Sequence, residues 1–328
     1  MKRCLLHIGA PKTGSTALQK FLAANREPLR RLGLVYPDVS LRGYGHHDLA
    51  FLVGGGYPAW ATPQERTLEA LARELADKVA GSPMVALSSE NFYLLPNPRG
   101  AAQLLEQAGI KAGGVRVIVF LRRQDEAHLS WYNQAVKAQG YTGTIAENIA
   151  ETEPLWDYAA QLERWAAVFG RDNLVVQIYQ TPDTPGGDIR RNFLRLAGLP
   201  ENGFDFPEEN VNSRINTEIL EFQRLVNRLP LSPQEKRGAH KELIALTAEA
   251  AGTGLFDDRA LLGTKERTAI LARHAGSNGA VARAYLKRES LFDDDMPPGL
   301  PPSAARTELS CEKLAYILGW LIAKRPNT

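Results

Sequence analysis

Short apolar runs alternate with longer amphipathic segments along the first 200 residues. Runs of four to seven apolar, often β-branched residues predict buried strands, whereas apolar positions spaced three and four apart predict helices. The predicted strands are residues 4–8, 84–87, 115–121 and 173–179, and the predicted helices are 63–79, 100–108, 125–138, 154–169 and 188–197, besides a first helix that begins near Ala17. This alternation predicts an α/β fold with right-handed crossovers and a doubly wound parallel sheet flanked by helices.

The pattern changes from residue 211 onward, where helices follow one another without strands. The predicted helices there are 217–229, 232–251, 280–287 and an amphipathic segment at 314–322, the last reached through a Pro-rich connector at 293–303. We therefore expect a single domain over residues 1–328, with an α/β core at 1–200 and a mostly helical region at 201–328 that covers the sheet.

Composition narrows the class of protein. The chain is 44% hydrophobic and 23% charged, as ordinary globular proteins are. A net charge of +2 without a basic stripe argues against a nucleic-acid partner. Cys4 and Cys311 lack metal-ligand spacing, so we expect packing roles in a reducing, cytoplasmic compartment. The most apolar window, 314–322, is too short for a transmembrane helix of about 20 residues, so we expect it to pack on the body or on a second copy in a homodimer.

The first strand runs into the sequence LLHIGAPKTGST, residues 5–16, before a helical pattern resumes. A tight loop between a strand and a helix directs backbone N–H groups and the positive end of the helix dipole at one spot. The segment therefore predicts a P-loop-like site for a phosphate or a similar oxyanion.

This loop differs from the nucleoside-triphosphatase signature G-x-x-x-x-G-K-[ST]. Gly9 and Gly14 have the required spacing, but Ser15 stands where the lysine belongs and Lys12 lies inside the loop. The strand at 115–121 continues into two arginines rather than an aspartate that helps to hold Mg²⁺. No G-x-G-x-x-G follows the first strand, so a dinucleotide site has no support.

The sequence P-K-T-G-S-T at residues 11–16 resembles the 5′-phosphosulfate loop of sulfotransferases, whose donor is 3′-phosphoadenosine 5′-phosphosulfate (PAPS). In that family an arginine at a later strand end and a serine eight residues on bind the 3′-phosphate of the donor. Arg122 and Ser130 have this spacing. A guanidinium fork suits a phosphate monoester, and eight residues are just over two helical turns.

The resemblance implies further roles. The leaving group is expected to be bound by Lys12 and by the loop residues Thr13, Gly14, Ser15 and Thr16, and Tyr179 is expected near the adenine. Residues 264–292 resemble a closing segment in which a basic loop brings Lys265 and Arg267 toward the 3′-phosphate and Asn278 caps a helix. A solvated charged loop is the alternative for this segment. The resemblance spans residues 4 to about 290.

A transfer to a hydroxyl also needs a general base. Glu90 follows a predicted strand at the sheet edge where the phosphate loops gather, and it ranks ahead of His47 and then His46 in the Gly-rich segment 41–60. His7 is expected to be buried packing within the first strand, and His128 is expected to face outward from its helix.

The sequence thus predicts an enzyme that moves a sulfuryl group from PAPS, without a required metal, to a carbohydrate, glycolipid or small-molecule acceptor. A P-loop kinase with a displaced lysine and a non-catalytic nucleotide-binding module remain alternatives. Five aromatic residues are candidates to stack on a sugar acceptor, although such residues more often belong to a core. They are Trp60, Phe92, Tyr93, Trp131 and Tyr132.

Overall fold

The computed structural model describes residues 2–58, 61–180, 186–208, 215–293, 296–304 and 308–324. Its contacts divide the chain into two compact units. The first comprises Met1–Arg123, Leu155–Glu209 and His274–Asp293, and the second comprises Gln124–Pro154, Asn210–Arg273 and Asp294–Thr328. The units interleave along the chain, so their boundaries differ from the predicted division at residue 200. A single domain over the whole chain stays a prediction.

The first unit contains a five-stranded sheet of β1 (Arg3–His7), β2 (Leu34–Val35), β3 (Met84–Ser88), β4 (Val115–Leu121) and β5 (Leu174–Ile178). All the pairs are parallel and the order is β2-β3-β1-β4-β5. The predicted α/β fold with a doubly wound parallel sheet is therefore confirmed. β2 was not predicted, because two residues are too few to show a hydrophobic pattern.

The register of the sheet brings four strand ends to one edge. His7 at the end of β1 pairs with Ser88 at the end of β3 and with Ile118 of β4, and Leu121 pairs with Ile178 at the end of β5. In open parallel sheets, ligands bind outside the carboxyl ends of the strands. The loops that follow β1, β3, β4 and β5 consequently meet at the edge where a ligand is expected.

The helices of the first unit that lie wholly within it are α1 (Ser15–Ala24), α2 (Arg26–Arg31), α3 (His47–Val53), α4 (Leu68–Lys78), α5 (Arg99–Gln107), α8 (Tyr158–Phe169) and α9 (Ile189–Ala197). Leu18, Phe21 and Leu22 form the apolar face of α1 and pack with Phe193 of α9 in a buried cluster against the sheet. Spacings of three and four place these side chains on one side of α1, so the core fixes the helix that follows the glycine-rich loop.

The second unit is helical over the residues that the structure describes. It contains α6 (Gln124–Ala138), α7 (Ile145–Thr152), α10 (Thr217–Val226), α11 (Pro233–Ala250), α13 (Cys311–Lys324) and the first part of α12 (Thr264–Val281), whose remainder belongs to the first unit. Ile219, Leu246 and Ile317 lie in its apolar core. The predicted helical C-terminal half is confirmed, and no helix in the described ranges is long and apolar enough to span a bilayer.

Several local predictions were wrong. Residues 264–281 form α12 rather than a basic loop, so Asn278 lies inside a helix instead of beginning one. Arg267 is buried against Asp125 with an Nη1–Oδ2 distance of 2.7 Å. His128 is fully buried instead of facing outward. Cys4 is buried as expected, but Cys311 is exposed. The predicted helix at 280–287 is the end of α12 and the π-helical turn Ala282–Leu286.

Candidate functional site

The loop between β1 and α1 turns sharply, with three residues in the left-handed region. Gly9, Lys12 and Gly14 have φ values of 46°, 65° and 79°. A lysine at positive φ is uncommon and costs conformational energy. The buried Thr13 helps to hold it there, because its Oγ1 donates to the Ala10 carbonyl oxygen at 2.6 Å. The loop is therefore held by side-chain bonding in a conformation that a free chain rarely adopts.

The N-terminus of α1 has no side-chain cap. The N-cap residue Gly14 has no side chain to accept from the first turn, and that turn contains no acidic residue. The first N–H groups of a helix lack partners within it. Beside them, the Ser15 hydroxyl is buried and has no hydrogen-bond partner among the described residues. Backbone and side-chain donors thus accompany the positive end of the helix dipole, an arrangement that suits an anion.

Lys12 has both an acidic and a basic neighbour. The residue is exposed at the loop surface, yet surrounding protein atoms lower its pKa from the ordinary 10.5 by desolvation, the largest cause. Glu90 opposes that shift and Arg122 adds to it, both through their charges. The three charged groups therefore interact across the edge formed by the ends of β1, β3 and β4.

Arg122 connects the end of β4 to the loop. Its Nη1 donates to the Lys12 carbonyl oxygen at 3.4 Å, and its guanidinium carbon lies 5.7 Å from the centre of the Tyr179 ring. Tyr179 follows β5 and also lies against Gly14, where an added Cβ would come within 3.1 Å of the ring. The structure thus brings together four residues predicted from separate strand ends and the loop: Lys12, Gly14, Arg122 and Tyr179.

Glu90 lies in the turn after β3 with its side chain about one third exposed (31%). Gln19 Nε2 donates to its Oε2 at 3.1 Å, and His47 Nδ1 lies 3.9 Å from the same oxygen. Two candidate bases, Glu90 and His47, therefore stand side by side. The second of them begins a helix, α3, that the sequence pattern did not predict.

The hydrogen bonds of His47 decide where its proton lies. Its Nδ1 is 2.8 Å from Ser89 Oγ and 2.9 Å from Asn91 Nδ2. Ser89 Oγ accepts from the Asn91 backbone N–H at 3.1 Å, so the hydroxyl is free to donate to the ring. With two donors directed at Nδ1, the neutral ring carries its proton on Nε2. His47 is then a hydrogen-bond donor at Nε2 rather than a proton acceptor.

His46 was also a candidate base, and the structure excludes it. The side chain is fully buried, Nδ1 accepts from the Ser88 backbone N–H at 3.2 Å, and Nε2 donates to the Pro37 carbonyl oxygen at 2.9 Å. Burial is the main cause that lowers its pKa to about 4. Both ring nitrogens are engaged, so His46 is a neutral structural residue that ties the segment after β2 to β3.

His7 lies in β1 and is buried as expected. Its Nδ1 is 2.7 Å from Ser88 Oγ, and desolvation lowers its pKa to about 3.

Ser130 is half-buried on α6 in the second unit, whereas Arg122 belongs to the first. Their joint contact with a phosphate stays a prediction.

The aromatic residues proposed to stack on a sugar are mostly unavailable. Phe92, Tyr93 and Tyr132 are at least 97% buried and belong to the core. Trp131 is half-buried on α6, and Trp60 lies outside the described residues. Phe92, Tyr93 and Tyr132 are therefore core residues rather than surfaces on which a sugar could stack.

Sequence reasoning missed Gln19 and Gly45. Gln19 is only 2% exposed although it is polar, and it lies on the buried side of α1 with Leu18 and Leu22. Gly45 is buried, and a Cβ there would come within 2.7 Å of both Gln19 Cδ and His47 Nε2. A polar residue among the apolar positions of α1 was the one available signal, since buried polar groups require partners.

Parts of this chain are similar to known proteins. No family model matches the chain. An uncharacterized protein from Archaeoglobus fulgidus is 27% identical over 183 residues, which cover 54% of this chain and 47% of that protein. The match thus spans about half the length of this relative. A solved structure of a sulfotransferase from Alicyclobacillus acidocaldarius has a TM-score of 0.44 and 21% identity, over 64% of this chain and 86% of that one.

Proposed function

We propose that this protein is a sulfotransferase that moves a sulfuryl group from PAPS to a hydroxyl or amine of a small-molecule or carbohydrate acceptor. The observation that carries the proposal is the meeting of Lys12 and Arg122 at the carboxyl edge of the sheet. PAPS carries a phosphosulfate at its 5′ end and a separate phosphate at its 3′ position. A lysine-bearing loop beside an arginine supplies one cation for each end.

The loop fits the 5′ end of the donor. Anions bind at helix N-termini because unpaired N–H groups and the helix dipole both favour negative charge. The uncapped start of α1 and the unpartnered, buried Ser15 hydroxyl supply such donors. In our proposal Thr13, Gly14, Ser15 and Thr16 hold the bridging phosphate, and the Lys12 ammonium contacts the oxygen that links phosphate to sulfur.

The other end of the donor is assigned to Arg122 and Tyr179. A guanidinium binds a phosphate monoester through two parallel N–H groups. Arg122 is half-buried and is held over the Tyr179 ring, which pre-orders its long side chain. Tyr179 then offers an aromatic surface near the adenine, and Ser130 is proposed as the second ligand of the 3′-phosphate.

The same residues support an in-line transfer. The acceptor oxygen attacks sulfur, the bond from sulfur to the bridging phosphate oxygen breaks, and the acceptor proton passes to the Glu90 carboxylate. Negative charge grows on the leaving phosphate oxygen, where Lys12 and the loop N–H groups stabilise it. Preorganised donors of this kind supply the stabilisation that a metal ion gives in phosphoryl transfer. His47 contributes its Nε2–H as a donor to the acceptor or to the sulfuryl oxygens.

Titration calorimetry with two nucleotides tests the proposal. We expect 3′-phosphoadenosine 5′-phosphate to bind and ATP with Mg²⁺ to bind far more weakly. A kinase with a displaced lysine gives the opposite order. Incubation with ³⁵S-labelled PAPS and a panel of sugars, glycolipids and phenols then separates an enzyme from a nucleotide-binding module, because only the enzyme transfers the label. Preference for ATP with Mg²⁺, or nucleotide binding without any transfer, contradicts the proposal.

A further inference from the structure

The Glu90 carboxylate accepts a hydrogen bond from Gln19 on α1, the helix that follows the loop proposed to bind the donor. We propose that Gln19 is a positioning residue for Glu90, anchored in turn by a buried hydrogen-bonded pair, His7 and Ser88. The inference rests on the proposed function insofar as Glu90 is the base of a transfer reaction. It assigns a role to a buried amide on α1 that the resemblance to sulfotransferases did not point to.

The geometry of Gln19 fits such a role. Its Nε2 donates to Glu90 Oε2 at 3.1 Å and to Ser88 Oγ at 3.3 Å. An amide nitrogen has two hydrogens and a carboxylate only accepts, so both hydrogens have a defined recipient. Gln19 also lies four residues after Ser15, which places the two on the same side of α1. The helix α1, which begins at the end of the loop proposed to bind the donor, thus also holds the proposed base.

The remaining hydrogen bonds fix the direction of each proton. Ser88 Oγ accepts from Gln19, so its own proton is directed to His7 Nδ1 at 2.7 Å. Desolvation keeps the buried His7 neutral, and its remaining proton is then on Nε2. That nitrogen has no partner among the described residues and lies beside Gly9.

The series of hydrogen bonds ends at His7, which lies beside Gly9 in the loop between β1 and α1. A Cβ added to Gly9 would be 3.1 Å from His7 Nε2 and 2.7 Å from Ser15 Oγ. Because Gly9 has no side chain, both atoms border the space that a side chain there would fill. Hydrogen bonds therefore lead from Glu90 through Gln19 and Ser88 to His7, whose ring lies beside Gly9 as the Ser15 hydroxyl of the proposed donor site does.

Steric packing restricts Gln19 to this orientation. The position of an added Cβ on Gly45 lies 2.7 Å from Gln19 Cδ, 2.8 Å from Gln19 Nε2 and 2.7 Å from His47 Nε2. The amide therefore packs closely over the Gly45 backbone next to His47. A buried amide confined in this way holds its partner with little loss of rotamer entropy on binding of substrate. Preorganisation of a base by supporting hydrogen bonds is what an efficient site requires.

A purely structural role for Gln19 makes different predictions. A residue that only joins α1 to β3 affects stability, and its loss lowers the amount of folded enzyme without changing the rate per folded molecule. A positioning residue changes kcat, and its effect depends on the presence of the Glu90 carboxylate. The two roles can be separated by a double-mutant cycle.

The test uses Gln19→Met, which keeps the side-chain length and removes both donors. We expect kcat for sulfuryl transfer to fall about tenfold, which is one factor of ten per 1.36 kcal/mol of barrier. The KM for PAPS and the affinity for 3′-phosphoadenosine 5′-phosphate stay within twofold. Gln19→Glu places a second carboxylate against Glu90 and lowers kcat further. In a Glu90→Gln background, Gln19→Met has no additional effect.

A second glutamine variant serves as the control for Gln19→Met. Gln223→Met removes another buried glutamine, 1% exposed, from the second unit and is expected to keep the wild-type kcat. An unchanged kcat for Gln19→Met, or losses from Gln19→Met and Glu90→Gln that simply multiply, overturns the positioning role. Wild-type protein without nucleotide binding or transfer overturns the proposed function instead. A crystal structure of Gln19→Met then still tests the positioning: we expect a displaced Glu90 carboxylate, and an unmoved one is contrary.

Discussion

The guanidinium of Arg122 donates to the carbonyl oxygen of Lys12 at 3.4 Å, although the two residues are 110 positions apart in the chain. The contact follows from the topology of the sheet. β1 and β4 are adjacent and parallel, so the residues that follow them emerge at the same edge. Glu90 and Arg122 both act on the charge of Lys12, so two cations and one carboxylate meet at this edge.

Replacement of Arg122 by alanine is expected to weaken binding of 3′-phosphoadenosine 5′-phosphate by about 10- to 100-fold, because a charge-assisted hydrogen-bond pair contributes about 1.5–3 kcal/mol. Affinity for adenosine 5′-phosphate, which lacks the 3′-phosphate, changes little. Calorimetry with both nucleotides measures the difference. Arg171→Ala, which removes an arginine with a 60% exposed side chain, serves as the matched control. Equal losses for both nucleotides contradict a role of Arg122 at the 3′ end.

The lowered pKa of Lys12 predicts an alkaline limit to activity. In the proposed reaction the ammonium is the form that stabilises the leaving phosphate, and desolvation lowers the pKa of Lys12 from the ordinary 10.5. The kcat/KM profile reports the free enzyme, so we expect its alkaline limb to begin below that pH. Lys12→Arg keeps a charge that does not titrate in this range, and the limb is expected to move upward even if the rate is lower. We expect Lys12→Ala to abolish transfer while circular dichroism shows an intact fold.

The same pH profiles also test whether Lys12 is the group that titrates at the alkaline limit. If Lys12→Arg keeps the wild-type alkaline limb, another group titrates there. Substantial transfer by Lys12→Ala removes Lys12 from the mechanism altogether.

Much of the fold could be predicted from local pattern because parallel strands are buried on both faces and read as continuous apolar runs. β4, with six buried residues out of seven, is the plainest case. β2 was not predicted because it has only two residues, and α3 was not predicted because it lies in a segment rich in glycine. The charged residues around Lys265 suggested a loop, but apolar positions such as Ile270 and Val281 bury one side of α12.

The candidate site was predictable to the extent that it follows strand ends. Lys12, Glu90, Arg122 and Tyr179 each come directly after or near the end of a strand, so sequence order together with parallel topology was enough to bring them to one edge. Gln19 and Gly45 were not predictable, because their roles depend on contacts between α1 and segments 26 and more residues away. The choice between His46 and His47 depended on where α3 begins, which turns one ring inward.

Buried neutral histidines predict sensitivity to acid. The pKa of His46 is about 4 in the folded state and the ordinary value is 6.5, so the unfolded chain binds the extra proton between these pH values. Stability is therefore lost as pH falls through this window, and His46 accounts for about 2 kcal/mol between pH 7 and pH 5. Urea unfolding at both pH values measures it. His46→Gln is expected to lower stability at pH 7 but to reduce the difference between pH 7 and pH 5 by that amount. An undiminished difference rules out titration of His46 as its source.

Substitution of Gly45 by alanine tests whether the side chains over it must keep their order. The Cβ would meet the ends of the Gln19 and His47 side chains, so these ends rather than the backbone have to shift. We expect the free energy of unfolding to fall by about 1–3 kcal/mol, as overpacking at a buried position does. Displacement of the Gln19 amide from Glu90 is expected to lower kcat about tenfold, by the same 1.36 kcal/mol per factor of ten.

Gly43→Asn is the control for the Gly45 substitution, because it lies two residues away in the same turn. Gly43 has a φ of 62°, which asparagine tolerates, and an added Cβ meets nothing within 4 Å. It is expected to keep the wild-type kcat and stability. Steady-state kinetics and urea unfolding of both variants are compared with those of Gln19→Met. Full activity of Gly45→Ala means that the side chains over Gly45 can rearrange freely, and their order is then irrelevant to the reaction. A loss in Gly45→Ala that adds to the loss in Gln19→Met means that the glycine acts through His47 instead.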